Sequence, residues 1–385
     1  MTVISRPSPA SWLRRHLLVF DAPLTWSIAT LALLGLVTMY SAGFDHGTRF
    51  VDHARNFGLA LVLMIVVAQV SPQRLQQLAV PLYVVGVVLV LVTALPGVGI
   101  TRKGATRWLD LGIVIQPSEI LKIAMPLMLA WWFQKREGQL RVPDFVAAAA
   151  LLALPVGLVA RQPDLGTALL ILFGGLYVIF FAGLSWRLVL PVLALAGLGI
   201  AALVLTGDAL CEPGVRWPLL REYQQQRVCT LLDPTRDPLG KGFHIIQGMI
   251  AIGSGGVTGK GFMQGTQTHL EFIPERTTDF AFAGYAEEHG LIGCLVLMAG
   301  FLALIFRGLY IASQAPTLFS RLLAGSLSLS FFTYAFVNLG MVSGILPVVG
   351  VPLPFISYGG TAMVTLGLAL GLLLSISRSR GLMQR

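Results

Sequence analysis

Charged residues are scarce in this sequence. Only 12% of its 385 residues are Asp, Glu, Lys or Arg, whereas soluble domains carry roughly 25%. Hydrophobic residues make up 55% of the chain, and its mean hydropathy is +0.78. This composition excludes a soluble globular domain and indicates a protein that crosses a lipid bilayer several times.

Other features are missing altogether. The net charge of +9 comes without any nucleic-acid-binding motif, so no nucleic-acid partner is expected, and arginines that flank membrane helices explain the charge better. No low-complexity linker, domain boundary or clear internal repeat interrupts the chain. No cleavable signal is evident, because the apolar run from about Leu24 to Ala42 is long enough to span the bilayer. Residues 1–385 are therefore predicted to form one membrane domain.

Long apolar runs predict the membrane helices. A helix that crosses the hydrocarbon core needs roughly 17 to 25 apolar residues. We predict an all-α integral membrane protein with about ten transmembrane helices and a large extracytoplasmic loop, 207–279, between the seventh and the eighth. The predicted spans lie near 24–43, 56–71, 76–96, 116–134, 143–160, 167–185, 187–206, 280–306, 321–345 and 357–378.

Basic residues lie mainly in alternate loops. If the N-terminus is inside, the inner segments contain only three acidic residues, Asp21, Glu137 and Asp144. The basic residues of the inner segments are Arg6, Arg14, Arg15, Arg74, Lys135, Arg136, Arg141, Arg187, Arg307, Arg321, Arg378, Arg380 and Arg385. This positive-inside bias predicts that both termini are cytoplasmic. The outer segments are then 44–55, 97–115, Arg161–Asp164 and 207–279.

The outer loop 207–279 is too long for a simple connection, so it is predicted to be functional. Its middle part shows apolar residues at helical spacing, which indicates an amphipathic helix lying on the membrane. These residues are Phe243, Ile246, Met249 and Ile250. Cys211 and Cys229 also fall in this loop, and they either form a disulfide in an oxidising compartment or remain two free thiols.

Charged residues crowd the end of this loop, immediately before an apolar run. The stretch His269–Phe280 contains three carboxylates and an arginine, and Asp279 is the last charge before the run. Because a charge is costly to desolvate, this position indicates chemistry or ion handling, and it suits a general base. The competing interpretation is a solvated loop in which Glu271 and Glu275 pair with Arg276.

Charged residues also fall inside predicted spans. Glu287 and Glu288 lie about two turns inside the eighth span, where an acid needs a partner. Glu119 and Lys122 are three residues apart in the fourth span and so share one helix face. They are either a packing device that neutralises itself or part of a cavity that opens outward.

Three further patterns point to the outer face. Arginine and lysine there suit a phosphorylated substrate, although each alone is more simply a surface charge. They are Arg55, Arg102, Lys103, Arg107, Arg161, Arg227 and Lys260.

The glycine-rich stretch Gly253–Gly261 lacks the spacing of a phosphate-binding P-loop, which indicates a flexible or tightly turned loop. The proline- and glycine-rich stretch 338–361 is either an ordinary outer loop or a broken helix that lines a substrate groove.

Several of these segments together resemble the SEDS family of shape, elongation, division and sporulation proteins. The matching motifs, in family order, are Lys103–Trp108, Gln116–Lys122, Gln162–Thr167, Glu271–Arg276, Thr278–Phe280 and Pro347–Thr361. Each motif alone is weak, but the ordered set covers nearly the whole membrane region. The Pro-Glu-Arg form at 274–276 is similar to the elongation branch rather than the division branch. Thr277 departs from the histidine that elongation-type members commonly carry.

The resemblance implies a peptidoglycan glycosyltransferase of the bacterial cytoplasmic membrane. Such an enzyme polymerises lipid II into glycan strands on the outer face during cell elongation. It works with a class B penicillin-binding protein, the transpeptidase that crosslinks the strands, and with other membrane proteins of the elongation complex. Phe301, Leu304 and Ile305 form an apolar helix face that is predicted to meet this partner.

The resemblance also assigns roles to residues. Asp279 aligns with the aspartate that is taken as catalytic in the family, and we predict that it is the general base. The predicted substrate-binding residues are Arg55, Trp108, Glu119, Lys122, Arg161, Glu271 and Ser357. Among these, Arg55, Lys122 and Arg161 are the candidate contacts of the substrate pyrophosphate. A divalent cation, Mg²⁺ or Mn²⁺, can share that task, but no ligand set in the sequence demands a metal.

Two other functions were weighed against this one: a lipid II flippase and a different transporter of a lipid-linked substrate. A flippase needs a polar route that opens to both faces in turn, whereas the polar residues here concentrate in the outer half. A secondary transporter often shows inverted repeats and helices broken at the midplane, which we do not find in this sequence.

Overall fold

A computed structural model describes residues 21–383, apart from gaps at 46, 96, 103–104, 111, 113, 213–214, 216, 218–221 and 237–239. Several basic residues that were assigned to loops lie outside the described residues: Arg6, Arg14, Arg15, Lys103 and Arg385.

Helices dominate the described chain. The first seven are α1 (Ala22–Ala42), α2 (Arg49–Ala68), α3 (Pro72–Thr93), α4 (Pro117–Gln134), α5 (Val142–Arg161), α6 (Leu165–Phe181) and α7 (Trp186–Leu210). They are followed by α8 (Glu222–Leu232), α9 (Lys241–Ser254), α10 (Thr266–His269), α11 (Ala281–Ser313), α12 (Leu318–Val342) and α13 (Gly360–Met383). A short 3₁₀ turn, Pro234–Arg236, lies between α8 and α9.

The helices α1 to α7 and α11 to α13 lie where the ten spans were predicted. Within the described residues, 8 helices are long and apolar enough to cross a membrane. The remaining two predicted spans are α4, which has 18 residues and contains Glu119 and Lys122, and α6, which has 17 residues. The protein is therefore a mostly helical, multi-pass membrane protein, and the count of ten spans stays a prediction.

A small antiparallel sheet occupies the segment that was predicted as the 97–115 loop. Its strands are β1 (Ile100–Arg102), β2 (Ala105–Asp110) and β3 (Val114–Ile115), in the order β1-β2-β3. Trp108 pairs with Ile100, and Leu109 pairs with Ile115. The sheet therefore packs the loop into a compact cap between α3 and α4, which the sequence-based prediction missed.

Small residues bring the membrane helices into close contact. A Cβ added to Gly367 of α13 would lie 2.3 Å from the Ala60 carbonyl oxygen of α2, and one added to Gly300 of α11 would lie 3.0 Å from Leu31 of α1. In lipid, such close approach supplies the van der Waals packing that holds helices together.

The predicted partner face of α11 belongs to this packed interior. Phe301, Leu304 and Ile305 are 3%, 0% and 5% exposed. The prediction was wrong because helical spacing identifies an apolar face but not what covers it, and here the chain's own helices cover it.

Four predicted outer segments meet at one end of the bundle. The buried Arg276 donates to the carbonyl oxygen of Ala42, at the start of the 44–55 loop, at 3.2 Å. Gln162 donates to the Val90 carbonyl oxygen at 3.0 Å, next to the 97–115 segment. A Cβ on Gly166 would lie 2.7 Å from the Val349 carbonyl oxygen. The segments that were grouped by charge alone are thus neighbours in space.

Helix α11 is broken at Gly290, and the glycine-rich stretch explains the break. Gly290 has φ 62° and ψ −162°, so the helical hydrogen bonds are interrupted there. Leu291 and Ile292 donate instead to the carbonyl oxygens of Gly256 and Val257, at 3.0 and 3.1 Å. In the reverse direction, Lys260 N and Gly261 N donate to the carbonyl oxygens of Glu287 and Glu288, each at 3.0 Å. The predicted tight turn is confirmed, and it is fastened into the broken helix.

Glycine is required on both sides of this junction. Gly259 has φ 81°, and a Cβ there would lie 2.1 Å from the Glu288 carbonyl oxygen. A Cβ on Gly290 would lie 2.3 Å from Gly259 N. Any larger residue at either position would push the loop away from α11.

A disulfide joins Cys211, at the end of α7, to Cys229 of α8, with an S–S distance of 1.99 Å. Of the two alternatives left open by the sequence, the bridge is the one the structure contains. Helix α7 otherwise projects from the bundle, since none of the residues in its most apolar window is buried. The disulfide therefore fixes the C-terminal end of α7 to the segment that leads to Asp279.

Candidate active site

Asp279 lies half-buried just before the first turn of α11. Its carboxylate faces the backbone of Gly350, since a Cβ added there would lie 3.3 Å from Asp279 Oδ2. Asn338 Nδ2 of α12 donates to the Asp279 carbonyl oxygen at 3.0 Å and to the Val351 carbonyl oxygen at 2.7 Å. One buried amide therefore holds the backbone of Asp279 and the facing loop in register.

The segment that faces Asp279 is a re-entrant loop, 343–359, between α12 and α13. Its residues Val351, Leu353, Phe355 and Ile356 are at most 1% exposed. A Cβ on Gly35, in the middle part of α1, would lie 2.1 Å from the Phe355 carbonyl oxygen. The interpretation as an ordinary outer loop was wrong, because non-helical backbone at this depth is stable only when protein surrounds it.

Ser357 stabilises this loop. Its hydroxyl oxygen accepts from Leu353 N at 2.9 Å, and the residue is 3% exposed. The next residue, Tyr358, donates its N–H to the Thr277 carbonyl oxygen at 2.8 Å. Ser357 thus shapes the loop that faces Asp279, and its contact with a substrate stays a prediction.

A polar cleft of about 410 Å³ opens along the loop that precedes Asp279. Its lining residues are Asp45, Arg49, Glu271, Ile273, Pro274, Glu275, Arg276 and Thr277. The guanidinium carbon of Arg49 lies 4.6 Å from the centre of the Tyr358 ring, which fixes this cation next to the re-entrant loop. Arg49 and Asp45 are not among the predicted site residues, although both fall in the predicted outer segment 44–55.

The predicted pairing of Arg276 with Glu271 and Glu275 is only partly correct. Arg276 binds the Asp45 carboxylate, and it also donates to the Thr268 carbonyl oxygen at 3.1 Å. Glu271 is farther away, at 3.6 Å, and its side chain is 68% exposed. Glu275 accepts from Thr278 Oγ1 at 2.8 Å. Arg276 therefore acts as a buried brace between the loop before Asp279 and the α1–α2 loop.

Glu119 and Lys122 form a buried ion pair, with a distance of 2.6 Å between Lys122 Nζ and Glu119 Oε1. Thr365 of α13 donates to the other carboxylate oxygen of Glu119 at 2.8 Å. Lys122 also lies 5.4 Å from the Tyr334 ring centre. Together with residues of the re-entrant loop, Lys122 and Tyr334 line a small cavity of about 50 Å³.

A second polar network connects the motifs around Gln116 and Asp164. The Asp164 carboxylate caps α6 by accepting from Thr167 N at 3.2 Å, and it also accepts from Gln116 Nε2 at 2.8 Å. Arg107 of β2 lies 3.2 Å from the same carboxylate. Arg107, which was grouped with the outer cations, thus ties the small sheet to the start of α6.

Three other predicted substrate contacts lie away from the buried polar networks. Arg55 has a 73% exposed side chain and pairs with Asp52 at 3.1 Å. Arg161 is exposed at the end of α5, and Trp108 lies on β2. These residues lie on the surface or in the cap, apart from the buried networks. Their contact with a substrate stays a prediction.

Glu287 is not a catalytic candidate in this structure. It is 0% exposed, and its carboxylate is surrounded by donors from the preceding loop. Lys260 Nζ lies 2.7 Å from Oε1, and Gln267 N and Thr268 N donate at 2.9 and 3.2 Å. Glu287 is the anchor of the loop that leads to Asp279. Lys260, which was predicted on a cationic rim, is its partner.

Removing this anchor should destabilise the protein. Glu287→Ala leaves Lys260 and two backbone N–H groups without their acceptor, and we expect a loss of roughly 3–5 kcal/mol in the free energy of unfolding. The measurement is thermal and denaturant unfolding of the purified protein in detergent. Glu271→Gln, on an exposed side chain of the same segment, is the control and should change stability by less than about 0.5 kcal/mol. Equal stability of Glu287→Ala and wild type would disprove the anchor.

No metal centre is evident in the part of the chain that the structure describes. Those residues contain no group of three or more His, Cys, Asp or Glu side chains arranged to hold a metal ion.

The sequence matches the model of a protein family and is similar to several known proteins over most of its length. The family model described as cell cycle protein, which covers FtsW, RodA and SpoVE, matches residues 22–381. The peptidoglycan glycosyltransferase MrdB of Escherichia coli (strain K12) is 47% identical over 359 residues, which cover 93% of each chain. A probable peptidoglycan glycosyltransferase FtsW of Geobacter metallireducens is 33% identical over 369 residues, 93% of this chain and 94% of the other.

Solved structures share the fold. One comes from a study of the structural coordination of polymerization and crosslinking by a peptidoglycan synthase complex. It has a TM-score of 0.76 and 36% identity, and it covers 94% of this chain and 98% of that chain. The crystal structure of rod shape determining protein RodA from Thermus thermophilus has a TM-score of 0.67 and 30% identity, with 94% and 97% coverage.

Proposed function

We propose that this chain, which belongs to the cell cycle protein family of FtsW, RodA and SpoVE, polymerises lipid II into glycan strands during cell elongation. It is a peptidoglycan glycosyltransferase, and its assignment to the SEDS family and to the RodA branch is confirmed. The observation that carries the mechanism is the half-buried Asp279, held at the head of α11 opposite Gly350, directly after a loop that lines a polar cleft.

Asp279 is the general base of this proposal. The acceptor is a sugar hydroxyl, which is a poor nucleophile until its proton is removed. In the transfer step, the acceptor oxygen forms a bond to the anomeric carbon of the donor sugar, and the bond from that carbon to the pyrophosphate breaks. The hydroxyl proton passes to the Asp279 carboxylate, and the lipid pyrophosphate leaves. Half-burial suits this role, since the carboxylate is reached by substrate but partly shielded from water.

The leaving pyrophosphate develops negative charge and needs cations nearby. Arg49, over the Tyr358 ring, lines the cleft and joins Arg55, Lys122 and Arg161 as a candidate contact. Mg²⁺ or Mn²⁺ carried by the substrate pyrophosphate can supply further positive charge. Polymerisation measured with and without EDTA tests that contribution.

The site is proposed to face outward, with both termini in the cytoplasm. The Cys211–Cys229 disulfide supports this orientation, because disulfides persist in oxidising compartments. No candidate span lies between this disulfide and Asp279 among the described residues, so the two share one side of the membrane. A membrane-impermeant thiol reagent should label Phe262→Cys in intact cells and Gln139→Cys only after lysis. The reverse pattern would contradict the orientation.

A single-span class B penicillin-binding protein is the proposed partner, alongside other elongation-complex membrane proteins. Its helix requires an apolar face that the bundle leaves uncovered. The exposed strip of α11 has this property, with Leu291 and Leu295 each 54% exposed and Phe306 64% exposed. The similarity to a structure from a peptidoglycan synthase complex supports such an association.

The proposed activity is tested with purified protein and lipid II. We expect glycan strands to form, and their rate of formation to rise when the class B penicillin-binding protein is added. Strand length on a gel and consumption of lipid II are the measurements. Transbilayer movement of lipid II without any polymer would instead support the flippase alternative.

A further inference from the structure

An apolar groove of about 310 Å³ runs between α6 and α12. Phe173 of α6 lines it, as do Phe332 and Phe336 of α12, whose rings stack with centres 5.6 Å apart. Among the described residues that line it, the polar side chains are Tyr177 and Thr333, whose hydroxyls bond to each other at 2.7 Å. The groove therefore offers apolar contact and no free polar group in its lining, which suits a hydrocarbon ligand.

Residues that line the groove are sequence neighbours of residues that contact Asp279. Val349 lines the groove, and the next residue, Gly350, is the one that faces Asp279 Oδ2. On the α12 side, the lining residue Val337 is followed by Asn338, which donates to the carbonyl oxygens of Asp279 and Val351. Each wall of the groove therefore contains a residue whose immediate neighbour in the chain contacts Asp279.

We propose that this groove binds the isoprenoid tail of the lipid-linked sugar substrate while its headgroup lies at Asp279. The inference rests on the proposed function and adds a place for the tail, which the mechanism above leaves in the bilayer. An isoprenoid chain is apolar and methyl-branched, and it carries no hydrogen-bonding group along its length, as the lining requires. The aromatic rims are partly uncovered, with Phe332 and Phe336 44% and 52% exposed, so a chain can enter from the side.

Binding in this groove gains little from the hydrophobic effect, because lipid tails are as apolar as the groove. Its benefit is orientation. A tail held between α6 and α12 restricts where the pyrophosphate lies, so the sugar is presented to Asp279 in one direction. Holding a reacting group in this way lowers the entropic part of the barrier.

The proposal predicts that tail length and groove contacts are coupled. Polymerisation is measured with lipid II that carries either a long isoprenoid tail or a short, water-soluble one. For the double variant Phe332→Ala/Phe336→Ala, we expect KM for the long-tail substrate to rise about tenfold, since the packing contacts of two aromatic rings with the tail are lost. KM for the short-tail substrate should not change. The matched control is Leu195→Ala/Leu198→Ala on α7, where two residues that are 72% and 69% exposed are shortened.

A photoreactive long-chain isoprenyl diphosphate gives a direct test. Crosslinked peptides from Leu165–Phe181 and Leu318–Val342 would support the proposal, and those from α7 alone would overturn it. Unchanged long-tail KM in the groove variant would also overturn it while the polymerase function stands. Absence of polymerisation by the wild type with either substrate would instead reject the proposed function, and the crosslinking result would then decide the groove separately.

Discussion

An Asp279→Asn variant is expected to polymerise lipid II at no more than about one hundredth of the wild-type rate. General-base catalysis contributes roughly 10²- to 10⁴-fold, and asparagine keeps the shape of the side chain but cannot accept the proton. Asp279→Ala should be equally inactive. The fold should survive both changes, because the contact to Asn338 is made by the Asp279 backbone carbonyl and not by its side chain. Strand formation and thermal unfolding are measured on the same preparation.

The matched control is Glu271→Gln, in the same loop. Its side chain is 68% exposed and lies 3.6 Å from Arg276, so its loss should reduce activity only mildly. If Asp279→Asn polymerised lipid II at nearly the wild-type rate, the assignment of the base would be wrong. Glu271 would then be the next carboxylate to examine, because Glu287 is 0% exposed and held by Lys260.

The helical framework could be predicted because a bilayer demands long apolar runs and little else. The position of Asp279 could be predicted for a related reason. A charge next to such a run is costly, and it therefore marks a place where the chain needs it. The family motifs, taken in order, gave the same residue. The positions of the membrane helices and of Asp279 could be predicted because each depends only on residues that are close together in the sequence.

Contacts between distant segments could not be predicted in this way. The rule that a buried acid needs a partner applied to Glu287, but nothing in the sequence pointed to Lys260, 27 residues earlier. Arg276 had two acids close to it in sequence, yet its hydrogen-bonded carboxylate is Asp45, 231 residues away. Proximity in sequence indicated the weaker contact to Glu271 and could not indicate Asp45, because the folded chain brings the α1–α2 loop against the loop before α11.

Short and irregular elements were also missed. The strands β1 to β3 have 3, 6 and 2 residues, too few for a clear alternation of apolar and polar side chains. The break in α11 at Gly290 was hidden inside an apolar run that predicted one continuous span. Its cause lies elsewhere, in the glycine-rich loop that supplies the missing hydrogen bonds. The residue pattern of one helix cannot show that a distant loop forms hydrogen bonds with that helix.

The second large effect is expected at the buried pair of Glu119 and Lys122. Lys122→Ala should reduce both stability and turnover, because it leaves the Glu119 carboxylate, with a 13% exposed side chain, without its cation. Breaking a buried pair in this way costs about 3–5 kcal/mol. This single variant cannot separate a structural role from a role in the site.

The double variant Glu119→Leu/Lys122→Met separates the two roles. Replacing both charges by apolar groups of similar volume removes the stranded carboxylate, so stability should return to near the wild-type value. Thr365 stays satisfied, since its hydroxyl also lies 3.1 Å from the Thr361 carbonyl oxygen. If Lys122 contacts the pyrophosphate, turnover of lipid II should remain at least about tenfold below wild type in this stable protein, as expected for the loss of one charged contact. Ser330→Ala, which removes a hydroxyl elsewhere in the lining of the same cavity, is the control for the cavity wall. Full activity of the double variant would show that the pair only packs α4 against α13.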